Sequence, residues 1–269
     1  MFSSYSAYLV KSVAGLAQRD GSAGYRQLDL RASSAYALHR ASATMALPHG
    51  DVRFNWTRSG GMQYDKVSEG GDAHLSCGPR GGVITQVVFA SFGTPMVGGD
   101  DGSAVEAEAR PWRVPPLSVR ATCHATSSHE VVTSRCVGRT HCTIAANGAL
   151  FGFGAADAAR CAAAGGKGPY DALSDPLRLW VAVTCSRPDA VDAYARVPIG
   201  STATVRLPLR GMATPVLRDG ARVVYGAGAS APADLTDLVV RREVDARVGE
   251  VLAVDVGSGE WDLALEAAA

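Results

Sequence analysis

The six cysteines Cys77, Cys123, Cys136, Cys142, Cys161 and Cys185 all fall within one stretch of the chain, and neither flank has any. Cysteines confined in this way mark a segment built for an oxidising compartment, where disulfides form and persist. They also divide the 269 residues, enough for two domains of ordinary size, into a middle segment and two cysteine-free flanks. Within the middle, "CVGRTHC" sets Cys136 and Cys142 around a Gly-Arg-Thr turn, a spacing that no common metal or redox motif uses.

The flanks read differently from the middle. The opening "MFSSYSAYLVKSVAGLA" lacks a basic leading segment and carries Lys11 inside its apolar part, so it reads as an amphipathic helix and not as a signal peptide. Phe2, Tyr5, Leu9, Val13 and Leu16 recur along it at spacings of three and four. Beyond a polar connector, "YRQLDLRA", "YALHRASATMAL" and "DVRFNWT" alternate as strands do. "RSGGMQYDKVSEGGD" then breaks the alternation with glycines and charges, which places a boundary near Val67.

In the middle, "GGVITQVVFASFG" reads as a buried strand, and "LRLWVAVTC" puts Leu177, Leu179, Val181, Val183 and Cys185 on one face. Residues 93–116 and 151–176, rich in Gly, Ala, Asp and Pro, read as long loops. After Cys185 the strand pattern resumes in "YARVPIGSTATVRLPL", "ARVVYG" and "EVLAVDVGSGEWDLALEA". Each flank alone has too few strands to bury two faces. The expected fold is therefore mainly β: one antiparallel β-sandwich split into residues 25–66 and 187–269, an inserted small α/β domain at 67–186, and one N-terminal helix at 1–24. Such an insertion needs its two ends close together, and a disulfide between Cys77 and Cys185 would hold their α-carbons about 5.5 Å apart.

Composition and motifs exclude several functions. Lys+Arg and Asp+Glu both number 26, so no net charge draws the chain to nucleic acid or an anionic membrane. No apolar run approaches the roughly 20 residues of a membrane-spanning helix. There is no Gly-x-Ser-x-Gly elbow, and "AAAGGKGPY" lacks the spacing of a phosphate loop. His74, His124, His129 and His141 lie near cysteines but without Cys-x-x-Cys or His-x3-His spacing, so neither a metal nor another cofactor is expected. Asp100, Asp101, Glu106 and Glu108 read as a solvated acidic loop. Asn55 heads the sequon "NWT", a candidate glycosylation site.

In order along the middle segment, "EGGDAHLSC", "ITQVVFASFGTP", "ATCHATSSHEVVTSRCVGRTHCTI" and "LRLWVAVTC" resemble the sea-urchin-egg-lectin domain, the rhamnose- and galactose-binding module of fish egg lectins, latrophilins and some plant β-galactosidases. The resemblance implies that Cys77 pairs with Cys185, Cys123 with Cys161 and Cys136 with Cys142, which makes "CVGRTHC" a small structural loop. Members commonly have two further cysteines bonded to each other; here Ser68 stands at one of those places and the other is also lost. The resemblance implies a sugar site at Glu69, at Phe92 and Gly93 of the Tyr-Gly motif, and at Asn147. Asp157 stands near the place of the family's Asp-Pro-Cys, and Arg178 one place from its lysine, where Leu177 now stands. On a strand Arg178 should face opposite to that lysine.

The flanks resemble the C-terminal end of α-L-rhamnosidases: "FSSYSAYLVKSVAGL" is similar to the last helix of their catalytic barrel. "ASATMALPHGDVRFNWTRSGG", "ARVPIGSTATVRLPL" and "VDVGSGEWDLAL" are similar to their closing β-sandwich. In those enzymes both catalytic carboxylates come from the barrel, so this chain is not expected to be an enzyme by itself. The expectation is a carbohydrate-binding part of a rhamnosidase-like protein, extracellular or in the secretory pathway. Its partners would be glycans rich in rhamnose or galactose and an upstream catalytic barrel. Two alternatives are the tail of an active rhamnosidase and a spacer that no longer binds sugar.

Overall fold

The computed structural model describes residues 7–33, 38–97, 117–163, 177–226, 238–245 and 249–268. Among them the helical opening is short, Leu9–Ala14 closing in a π-helical turn. It stops at Gly15, whose φ is +80° and where a Cβ would stand 1.8 Å from the Arg31 carbonyl oxygen. Only glycine fits that approach. The expected helical face is thus cut short, because Leu16 begins strand β1 (Leu16–Gln18) and buries its side chain in the sandwich.

The next strands are β2 (Gln27–Arg31), β3 (Arg40–Leu47) and β4 (Gly50–Ser59). Then come β5 (Met62–Ser68), β6 (Asp72–Ser76), β7 (Ile84–Gly93), β8 (Met96–Val97) and β9 (Leu117–Ser118). Helix α1 (Ser128–Cys136), β10 (His141–Ala145), a 3-10 turn at Gly148–Phe151, helix α2 (Ala155–Ala163) and β11 (Arg178–Cys185) follow. The chain continues through β12 (Ala190–Val197), β13 (Thr202–Pro208), β14 (Pro215–Asp219) and β15 (Arg222–Tyr225). It ends with β16 (Val239–Asp245), β17 (Gly249–Val256) and β18 (Gly259–Ala267).

These elements form two compact units. One holds the residues up to Ser59 and from Pro188 onward, the other Gly60–Arg187. The first is a β-sandwich whose sheets are ordered β1-β2-β13-β17-β16 and β15-β14-β18-β12-β4-β3. All pairings are antiparallel except that of β2 with β13. Both sheets take strands from both sides of the insert, because neither flank alone supplies two faces. The period of two in β18 turns Trp261, Leu263 and Leu265 inward, where they share a core with Leu30, Phe54, Trp56, Val205 and Val254. Trp56 satisfies its buried indole by donating to the Ala14 carbonyl.

The second unit is built on a three-stranded antiparallel sheet, β5-β11-β7, and a two-stranded sheet, β10-β6. Helix α1 packs on β7 and β10. Leu75, Ile84, Phe92, Val132, Ile144, Leu179 and Val181 form its core. Three disulfides staple it: Cys77–Cys185, Cys123–Cys161 and Cys136–Cys142, the pairing that the resemblance implies.

The boundary lies earlier than Val67. β5 pairs with β11 from Met62 to Ser68, so residues 60–66 belong to the insert and not to the sandwich. The insert's ends meet, since Gly61 donates to the Arg187 carbonyl and accepts from the Cys185 N–H at 2.7 and 2.8 Å. Residues 151–176 are not all loop, because α2 forms within them, and the serine-rich segment before Cys136 forms α1.

Candidate functional site

Glu69 sits on an exposed turn at the end of β5. Its N–H donates to the Leu177 carbonyl at 2.7 Å, and the N–H of Gly70 donates to the Ala146 carbonyl at 2.8 Å. The Ala146 N–H returns a bond to the Gly71 carbonyl at 2.8 Å. The Glu-Gly-Gly turn is thereby laced on one side to the start of β11 and on the other to the segment that ends β10. Asn147 and Arg178 are the next residues on those two segments.

Asn147 is exposed and caps the 3-10 turn, its Oδ1 accepting from the Leu150 N–H at 3.1 Å. That leaves the two Nδ2 donors for a ligand. Arg178 is half-buried and aligned in the sheet between Ser68 on β5 and Gly93 on β7. The alternation of β11 puts Leu179, Val181, Val183 and Cys185 in the core, so Arg178 shares the opposite face with Trp180. This is the orientation expected for a cation one place from the family's lysine.

Gly93 is buried with φ +144°, and a Cβ there would meet the Cys123 carbonyl oxygen at 2.2 Å. It bridges to His124, so its role is to let the cysteine-bearing segment close on β7. A glycine at this place is explained by packing.

Two of the expected sugar contacts have other occupations. Phe92 is fully buried, stacked on Phe151 at 5.0 Å and edge-on to Phe153 at 5.4 Å. The lectin resemblance implied a sugar contact here, but the place has no opening to solvent and the ring serves the core. Asp157 accepts from the Gly154 N–H at 2.8 Å and pairs with Arg160. Both its oxygens are thus committed to the start of α2, where an acidic group meets the helix dipole favourably.

Asn55 lies mid-strand in β4, paired with Ser42 and Tyr194 and accepting from the Ser42 hydroxyl at 2.6 Å. Residues 98–116, with the acidic group Asp100, Asp101, Glu106 and Glu108, lie outside the described residues. Among the described residues no group of His, Cys, Asp and Glu is arranged to hold a metal ion, and no helix is long and apolar enough to cross a membrane.

Sequence reasoning passed over the outer face of the β5-β11-β7 sheet. Trp180 and Tyr64 meet there edge to face with centroids 6.5 Å apart, both nearly buried. Burial, with Asp65 nearby, pushes the Tyr64 phenol up. On the same sheet Ser91 Oγ and His124 Nδ1 lie 2.9 Å apart, and burial holds the His124 imidazole below its ordinary value. The alternation of "LRLWVAVTC" already placed Trp180 opposite the core-facing residues, which is the signal that could have found this face. No family model matches the chain.

Proposed function

We propose that residues 60–187 are a carbohydrate-binding module for rhamnose- or galactose-type glycans, carried in the C-terminal β-sandwich of an α-L-rhamnosidase-like protein. The observation that carries the reading is the turn at Glu69, hydrogen-bonded between the Leu177 and Ala146 carbonyls beside Asn147 and Arg178. Sugar recognition needs a fixed carboxylate or amide for vicinal hydroxyls, with complementary donors nearby. A carboxylate, an amide and a guanidinium meet that need without a metal. The six paired cysteines support a secreted setting, in which the module would hold substrate glycans near a catalytic barrel.

The burial of Phe92 favours a second reading, in which the insert is a stapled spacer, because that burial removes one ligand contact of the family site. Amide chemical shifts of the labelled chain during titration with L-rhamnose and D-galactose separate the two. The binding reading expects shifts at Glu69, Gly70, Asn147 and Arg178. Unchanged shifts there at saturating sugar would favour the spacer.

A further inference from the structure

A cavity of about 290 Å3 opens on the outer face of the sandwich, on the sheet that contains β1, β2, β13 and β17. Its polar lining comes from two neighbouring rows of side chains: Arg19, just beyond β1, with Gln27 and Thr202 in one, and Thr204 with Asp255 in the next. The register sets the rows. Arg19 donates its N–H to the Gln27 carbonyl, Gln27 is aligned with Thr202, and Thr204 with Asp255.

The lining has a fixed side and an open side. Asp255 accepts from the Thr204 hydroxyl at 2.6 Å and from the guanidinium of Arg241, which Glu243 holds in turn. Burial pushes its carboxyl up, but these bonds and the charges of Arg241 and Arg19 outweigh that and keep it ionised. A carboxylate held in this way is oriented before any ligand arrives. Arg19, Gln27 and Thr202 are exposed, and among the described residues their side chains take part in no hydrogen bond or ion pair.

We propose that this cavity binds a hexuronic acid residue of a polysaccharide, its carboxylate on Arg19 and Gln27 and its ring hydroxyls on Thr202 and Asp255. The donor set points to that ligand class. A guanidinium and an amide match a carboxylate, for which arginine's planar fork is suited. An ionised Asp255 accepts hydroxyl hydrogens and would repel an anionic group placed beside it, so the ligand's carboxylate belongs at the Arg19 side and its hydroxyls at the Asp255 side. The volume lies at the lower end of small-molecule sites and suits one sugar ring. The site lies in the sandwich unit and does not depend on the Glu69 site.

Isothermal titration of the full chain with D-galacturonate, with D-galactose as the neutral counterpart, tests the assignment. Galacturonate should bind with a dissociation constant on the order of millimolar and galactose at least about tenfold more weakly at this site. Arg19→Ala should weaken galacturonate by about tenfold or more, and Thr202→Trp should block the cavity, while Glu69→Gln leaves galacturonate binding unchanged. Arg19 is exposed, so its replacement should leave the thermal melt in place and a loss of binding would not reflect unfolding. Absence of galacturonate binding, binding indifferent to Arg19→Ala, or loss through Glu69→Gln would each overturn the proposal.

Discussion

Phe92 stands where the lectin resemblance would expect a tyrosine, yet its ring lies between Phe151 and Phe153 with no exposed surface. Phe92→Ala should therefore cost about 3 to 5 kcal/mol in chemical denaturation. Restoring the family residue with Phe92→Tyr should also destabilise, by about 1 to 3 kcal/mol, since its hydroxyl would enter an apolar cluster. A neutral Phe92→Tyr that strengthened sugar binding would show instead that the ring edge reaches the site. His124 gives a pH test. Burial holds its imidazole below the ordinary 6.5. The unfolded chain then takes up the proton more readily, so the stability this group contributes is present above about pH 6.5 and is lost as the pH falls through the lowered value. The melting temperature should drop from about pH 7.5 to 5, and His124→Gln should flatten that part of the curve. A slope unchanged by His124→Gln would assign the effect to other groups. At this scale the facing of Arg178 was legible from the strand period, while Glu69 was singled out through the lectin resemblance. The sequence put Phe92 in a buried strand but did not show its stacking on Phe151 and Phe153, contacts that no local pattern encodes.

The disulfides close loops of very different length, with sequence separations of 108, 38 and 6. In the chain-entropy model, removing Cys77–Cys185 costs about 4 to 5 kcal/mol and removing Cys136–Cys142 about 2 kcal/mol. Paired Cys→Ser variants should follow that order in denaturant midpoint. Equal losses would mean that local packing, and not the closing of the chain, sets the contribution. The elements most legible in the sequence were those with a clean period: β11 from its alternation, and β4 and β18 from theirs. β5 reads as a break at the end of the sandwich because glycines flank it and Asp65 and Lys66 interrupt its apolar positions, although Gln63 and Tyr64 are buried once β11 lies alongside. α2 was read as loop because its alanine-rich sequence has no wide apolar face, and what fixes it is tertiary, the Cys123–Cys161 bond and the Asp157 cap.

Across the whole molecule, the sandwich is one folding unit interrupted by another. Ser59 and Ala190 are already partners on neighbouring strands of one sheet, so the insert leaves and returns at a single ladder position. Facing residues on paired strands lie about 5 Å apart, a gap that a short glycine linker spans. Joining Ser59 to Pro188 in that way should leave a folded β domain with a cooperative melt; an unfolded product would contradict the two-unit division. Strand alternation set the fold class, and the glycine-and-charge break put the start of the insert near Val67, where the structure has Gly60. The proposal that the insert binds a glycan rests on the Glu69 site. The decisive measurement is calorimetric titration of the full chain and of Glu69→Gln with L-rhamnose and D-galactose. A carboxylate's charge-assisted bonds are worth about twice neutral ones, so the parent should bind one of these sugars saturably and Glu69→Gln about tenfold or more weakly, at unchanged melting temperature. Binding of neither sugar by the parent, or equal binding by both proteins, would contradict the account.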